Sequence, residues 1–325
     1  MHRYVSRIAR CLLALSCIAT GSAHADTYPD RPVKLVVPFP PGGGSDTVGR
    51  LIAKSLSDNL GQQVVVDNRG GAGGSIGTGS VARAAPDGYT LVLASTSEIA
   101  INPALYPSLG YSTVDDLTPV AMVATTPLAI AVNPGVKAKT LQELVALVKA
   151  QPGKINLASA GTGTITHLSS ELFRAANQLN WVHVPYKGTA PALADLVSGQ
   201  VQIMFLPPPP VLGLAQSGRV RLLAVSGKTR AASMPDVPTV TESGSPDYTV
   251  DNWYGIFAPQ GTPGAVVEKL SASVAEVLKQ KAVIDALAVQ GAAPATLSRA
   301  QFADHVKREV TKWGDVVRSS GAKVE

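Results

Sequence analysis

Three glycine-rich segments hold most of the residues whose types and spacing could do chemistry: 38–46 (PFPPGGGSD), 68–80 (NRGGAGGSIGTGS) and 159–167 (SAGTGTITH). Gly42, Gly43 and Gly44 carry no reactive group. They let the backbone turn with positive φ and let a ligand approach the main chain, so peptide N–H groups become the donors on offer. The second segment contains Gly73-Gly74-Ser75-Ile76-Gly77, which matches the G-x-S-x-G nucleophile elbow. An elbow needs its serine on a sharp turn directly after a strand, with a histidine and an acid brought to it. Several flexible residues separate Ser75 from the preceding apolar run, so a secreted serine esterase is kept as the alternative reading.

In the third segment Gly161-x-Gly163-x-x-Thr166 is a dinucleotide fingerprint with its last glycine replaced, which weakens close helix packing. We read it as a loop offering N–H groups and the hydroxyls of Ser159, Thr162 and Thr164 at a helix N-terminus. His167 follows that loop, His183 lies in a strand and His305 in the last helix. That scatter gives no metal-ligand spacing, and no H-E-x-x-H, Walker or EF-hand pattern occurs. Neither metal nor cofactor is expected. Tyr186 and Lys187 end a strand and precede a helix, the place where open α/β sheets bind ligands.

The elements that must position these loops alternate. Apolar β-branched runs (VKLVVPF, QQVVVDN, YTLVLAS) alternate with helical patterns, first from Asp46 to about Leu60, where Val48, Leu51, Ile52, Leu56 and Leu60 share a stripe. Strand, turn, helix, strand predicts an α/β fold with a parallel sheet. A second α/β series starts near Pro127, with Thr140 and Glu143 predicting a capping box. Thr262-Pro263 predicts an N-cap followed by proline at the first helical position, and 207–210 reads as a stiff polyproline turn. Two segments carry the chain between the series, TPVAMVATTPLAIAV outward and SPDYTVDNWYGIFAP back. The expected organisation is a first, discontinuous domain of residues 26–125 and 246–325 and a second of residues 126–245.

Residues 1–25 are expected to be a signal peptide: Arg3, Arg7 and Arg10 precede the apolar run CLLALSCIAT, and Ala23-His24-Ala25 supplies an A-x-A cleavage site. The net charge of +5 loses three arginines and no acid with that leader, which leaves +2. The apparent basicity is therefore mostly targeting, and no nucleic-acid partner is expected. Cys11 and Cys17, the two cysteines, leave as well, so the mature chain has neither a disulfide nor a cysteine nucleophile.

Taken in order, YPDRPVKLVVPFPPGGGSD, VVVDNRGGAGGSIG, PDGYTLVLAS, THLSSELF, HVPYKGTAPALADLVSGQVQIMF and GRVRLLAVSG resemble the Bug family of extracytoplasmic solute receptors, the binding components of tripartite tricarboxylate transporters. The resemblance implies a two-domain periplasmic-binding-protein fold of the Venus flytrap type, type II-like, with a cleft between domains. It implies a small carboxylate ligand (a di- or tricarboxylate, an acidic amino acid or an aromatic acid), membrane permease subunits as partners, the periplasm as location and no enzymatic activity. A closing clamp is expected to be a monomer. A sensor for a membrane kinase would share the fold.

Carried onto this chain, the family's two carboxylate-holding loops are 39–45, with Phe39, Pro41, Gly42, Gly43 and Ser45, and 71–74, with Gly71, Ala72, Gly73 and Gly74. Ser95, Thr96 and Ser97 at a strand end, and Ser159, Ala160, Gly161, Thr162 and Thr164 in the second domain, would complete the cleft, with His167 and Tyr186 beside them. Where relatives often continue QIMF with aspartate, this chain has Leu206 and then prolines. That departure implies a less polar wall at the distal end and favours an aromatic or longer-chain acid over citrate.

Overall fold

The computed structural model describes residues 28–245 and 248–323; the expected leader and both cysteines lie outside them. In chain order the strands are β1 (Val33–Val37), β2 (Val64–Asn68), β3 (Thr90–Ser95), β4 (Leu117–Pro127), β5 (Ala129–Val132), β6 (Asn156–Ser159), β7 (Val182–Pro185), β8 (Ile203–Leu206), β9 (Arg221–Val225), β10 (Asp251–Pro259) and β11 (Ala293–Pro294). The helices are α1 (Gly44–Leu60), α2 (Ser75–Ala82), α3 (Asn102–Leu105), α4 (Leu141–Ala150), α5 (Ile165–Asn177), α6 (Thr189–Ser198), α7 (Pro209–Gln216), α8 (Gly264–Val277), α9 (Lys281–Val289) and α10 (Arg299–Ser320).

The strands form two mixed sheets, ordered β11-β4-β10-β3-β1-β2 and β7-β6-β8-β5-β9. In the first, β1 pairs in parallel with β2 and β3, while β10 runs antiparallel to β3 and β4. In the second, β6 pairs in parallel with β7 and β8, and β5 runs antiparallel to β8 and β9. The interior strand β1 is buried at four of its five positions, as a run covered on both faces must be. Helix α1 turns Val48, Ile52 and Leu56 inward. A Cβ at Gly49 would stand 2.7 Å from Val37 Cγ2, so glycine is what lets this helix lie close on the sheet.

Only Leu128 separates β4 in the first sheet from β5 in the second, and the chain returns between β9 and β10. Buried Ser226 ties the two crossings together. Its Oγ accepts from Leu128 N–H at 2.8 Å and donates to Val250 O, while its own N–H donates to Leu128 O at 2.8 Å.

Local expectations are corrected at three places. Thr140 caps α4 as expected, but the Glu143 carboxylate accepts from Lys139 N–H, one residue before the cap, rather than from the cap residue itself. Thr262 Oγ1 donates to Pro259 O, and Pro263 stands at the cap position instead of inside the helix. The proline run does not stay extended, because Pro209 and Pro210 open α7; the first turn makes no use of its N–H donors within the helix, so proline costs little there.

Helix α10 begins with a full capping box at Ser298 and Gln301 and is fastened by an unusual acceptor. Glu309 Oε2, buried, accepts from the indole N–H groups of Trp253 at 3.2 Å and Trp313 at 2.8 Å, joining α10 to β10. Glu309→Leu strands both donors in the core. The expected cost is about 3 kcal/mol of unfolding free energy, measured by urea titration, with a smaller loss for Glu309→Gln.

Candidate functional site

A cleft of about 1510 Å³ opens between the two sheets and is lined from both. One wall comes from the loop after β1 and the start of α1, with Phe39, Pro41, Gly42, Gly43, Gly44 and Ser45, joined by Ser95 and Ser97 after β3 and by Asn252 and Tyr254 on β10. The other comes from Ala160, Thr164, Ile165 and Thr166, one face of α6, and Pro207, Pro209, Pro210 and Leu214 at α7. Arg219 is the sole charged residue among the described lining.

Helix α1 starts inside this wall, and its cap residue Gly43 has no side chain to satisfy the first turn. Those N–H groups therefore face the cleft as donors at the positive end of the helix dipole. The loop before them is held from behind. Asp46, buried, accepts from Gly42 N–H at 2.9 Å, from Arg50 Nε at 2.9 Å and from Asn68 Nδ2 at 3.0 Å, while Asn68 Nδ2 also donates to Phe39 O at 3.0 Å. Burial works to raise the Asp46 pKa, but the bonds from Arg50, Gly42 and Asn68 together hold it below the usual carboxylate range. Gly42 N–H is thus spent on the scaffold, and the donors that remain are those of the helix start.

Tyr254 places its hydroxyl against Gly44, where a Cβ would lie 3.0 Å from the phenol oxygen. Burial, helped by the Glu98 charge, pushes this phenol up to about 12, so it stays a neutral donor. Ser95 lines the cleft but gives both its N–H, at 3.1 Å, and its hydroxyl, at 2.6 Å, to Glu98 Oε2. Glu98 is fully buried, its Oε1 has no hydrogen-bond partner, and burial raises its pKa to about 7.

Of the residues singled out from sequence, Phe39, Pro41, Gly42, Gly43, Ser45, Ser95, Ser97, Ala160 and Thr164 line the cleft. The 71–74 loop does not. Its left-handed backbone at Gly73 (φ 60°) and Gly74 (φ 89°) serves close packing: a Cβ on Gly74 would meet Glu98 Cγ at 2.6 Å, and Gly73 O accepts from Asn102 Nδ2 at 2.9 Å. Gly71 and Ala72 likewise stand outside the lining, as does Thr96, whose hydroxyl accepts from Trp253 N–H at 3.0 Å. Ser75 Oγ accepts from Asn102 Nδ2 at 3.0 Å, and no histidine is among its partners.

In the third loop, Thr164 Oγ1 donates to Gly161 O at 2.7 Å and Thr166 Oγ1 accepts from Ala160 N–H at 3.0 Å, which shapes the turn behind the wall. Ser159, Gly161, Thr162 and His167 are not among the residues that line the cleft. His167 Nδ1 accepts from Gly163 N–H at 3.1 Å and its ring stacks 3.9 Å from His183, which bonds Ser159 Oγ at 2.7 Å. Burial, then the neighbouring His183 and Arg174, lowers His167 to about 3, so it is a neutral structural imidazole. Tyr186 donates to Asp195 Oδ2 at 2.6 Å, and Leu206 is fully buried while its neighbour Pro207 reaches the wall. Among the described residues no group of three His, Cys, Asp or Glu is placed to hold a metal ion, and no helix is long and apolar enough to cross a membrane.

Sequence reasoning missed Tyr254, Asn252, Thr126, Arg219 and the α6 face. The α6 positions carry a readable signal, since Thr189, Ala190, Leu193, Ala194, Val197 and Ser198 recur at helical spacing.

Residues 48–322 match the family described as Tripartite tricarboxylate transporter family receptor. Protein BugT of Bordetella pertussis is 42% identical over 302 residues, 93% of each chain. Among solved structures, Rpa4515 of R. palustris with adipate is 34% identical, with a TM-score of 0.80 over 91% of this chain and 99% of that one. MatC (Rpa3494) of Rhodopseudomonas palustris with bound malate is 36% identical, with a TM-score of 0.76 over 89% of this chain and 100% of that one.

The Glu98 carboxyl makes a pH prediction. Its folded pKa, about 7, lies above the ordinary carboxylate value of 4.5, so the native state binds the proton more tightly and stability falls as pH rises through that window. Glu98→Gln removes this contribution. The melting temperature of the variant relative to the wild type is expected to climb between pH 5 and pH 8, measured by differential scanning calorimetry.

Proposed function

Since the chain belongs to the tripartite tricarboxylate transporter receptor family, we propose that it captures a small carboxylate in the periplasm and delivers it to the membrane permease of such a transporter. The observation that carries this reading is the start of α1, whose first-turn N–H groups line the cleft with no capping side chain. A carboxylate there gains from the dipole and from charge-assisted hydrogen bonds without any arginine. Ser97 and the neutral Tyr254 phenol stand beside it as further donors. The adipate and malate bound by the two relatives support the ligand class.

The two lobes are residues 26–125 with 246–325, and residues 126–245, with the leader 1–25 directing the chain across the inner membrane. Closure of these lobes about the crossings at Leu128 and Ser226 traps the anion, and the closed form is what the permease recognises. The receptor works as a monomer and performs no chemistry on its ligand. Ser75, held by an asparagine amide, has no base to activate it, so Ser75→Ala is expected to leave ligand affinity within about twofold, since it removes one buried hydroxyl bond at the start of α2, outside the cleft lining.

The test is calorimetric titration of residues 26–325, denatured and refolded to strip carried ligand, against mono-, di- and tricarboxylates. Selective binding is expected. Gly44→Val drives a side chain into the space between the helix start and Tyr254 and is expected to weaken that binding roughly tenfold or more, with an unchanged far-ultraviolet spectrum. If no acid binds the wild-type chain, the reading is lost.

A further inference from the structure

The cleft does not stop at the helix start that would hold a carboxylate. Its lining continues along α6 through Ala190, Leu193, Ala194 and Val197, and along α7 through Pro210 and Leu214. Both helices cover the same face of the five-stranded sheet, where Leu193, Leu196 and Val211 share one apolar cluster. Each begins just after a strand end at the cleft, α6 after β7 and α7 after β8. The groove between them therefore runs away from the cleft for the length of α6, ten residues or about 15 Å at 1.5 Å per residue.

The far end of this groove differs chemically from the near end. Arg219 lies just beyond α7, its N–H donating to Leu214 O at 2.8 Å. Its side chain is exposed and pairs with no acidic residue among those described. An apolar channel with N–H donors at one end and an unpaired guanidinium at the other is complementary to one kind of small molecule.

We propose that the groove between α6 and α7 is a tail subsite, and that the ligand is an extended acid whose apolar chain lies along it and whose second anionic group meets Arg219. This rests on the receptor reading above and narrows it. The length of α6 accommodates roughly twelve chain bonds at the ~1.2 Å per bond of an extended backbone. Citrate, compact and polar throughout, would leave the groove unfilled. Leu214 and Val197 set how much of the chain is buried, and Arg219 separates diacids from monoacids of equal length.

The experiment is calorimetric titration of the refolded, ligand-free mature chain with linear diacids from butanedioic to dodecanedioic acid and with the matching monoacids. Diacid affinity is expected to rise about twofold per added methylene until the groove is filled. Arg219→Gln is expected to lower the affinity of the best diacid about fivefold and to leave the monoacids unchanged. Leu214→Glu removes the gain with length while keeping the shortest diacids. Length-independent diacid binding, or an Arg219→Gln variant equal to wild type on every diacid, overturns the tail subsite and leaves the receptor reading intact. Failure of every acid to bind overturns both.

Discussion

Bare backbone can hold an anion only if something else holds the backbone, and in this protein that is the buried carboxylate of Asp46. Three donors converge on it, from Gly42, Arg50 and Asn68, and through Asn68 it also fixes Phe39 O. The arrangement joins the end of β1, the start of α1 and the end of β2 into one rigid corner. Without it a run of three glycines would sample many conformations, and ordering them on ligand binding would consume most of the affinity. Asp46 also places a full negative charge behind the loop. Arg50, its partner on the next helical turn, offsets that charge, so the field felt in the cleft is mainly that of the helix start.

The same economy governs the link between the sheets. Only Leu128 separates β4 from β5, and a passage so short leaves little freedom except rotation about the paired crossing strands. Ser226 supplies the pairing: its hydroxyl accepts from Leu128 and donates to Val250, bonds internal to the passage that a rigid rotation of the lobes need not break. Glu309 holds Trp253 from the α10 side, and Trp253 N–H in turn donates to Thr96 beside the cleft wall. The site floor is thus braced by the C-terminal helix, far away in sequence.

Much of this was legible before the structure. Apolar runs buried on both faces and stripes at helical spacing announce themselves, and β1 and α1 lie close to where their patterns put them. The glycine loop at 42–44 suggested a ligand site because glycine leaves the main chain accessible, and in the structure it lines the cleft. The 71–74 loop has the same composition for a different reason: its glycines make room for Glu98 and Tyr106. Composition cannot separate those two uses, since both ask for a missing Cβ. Tyr254 and Asn252 were hidden by distance, because β10 reaches the cleft only by inserting between β3 and β4. The prolines misled because their fixed φ suits a helix start as well as an extended turn.

The distribution of charge along the cleft bears on selectivity. An anion site of the kind proposed, built from N–H groups, a phenol and serine hydroxyls, offers direction without a formal charge and would by itself discriminate little among carboxylates. Discrimination must then come from what surrounds the rest of the molecule. Here the lining along α6 and α7 is mainly apolar, with Thr189 and Ser198 at the ends of α6, and Arg219 is its one charged side chain among the described residues. A ligand with polar groups in its middle would have to desolvate them against Leu193 and Pro207 without hydrogen-bond partners, a penalty that grows with each group. On the proposed tail subsite, rejection of compact polyhydroxy acids and acceptance of extended ones would follow from the same wall.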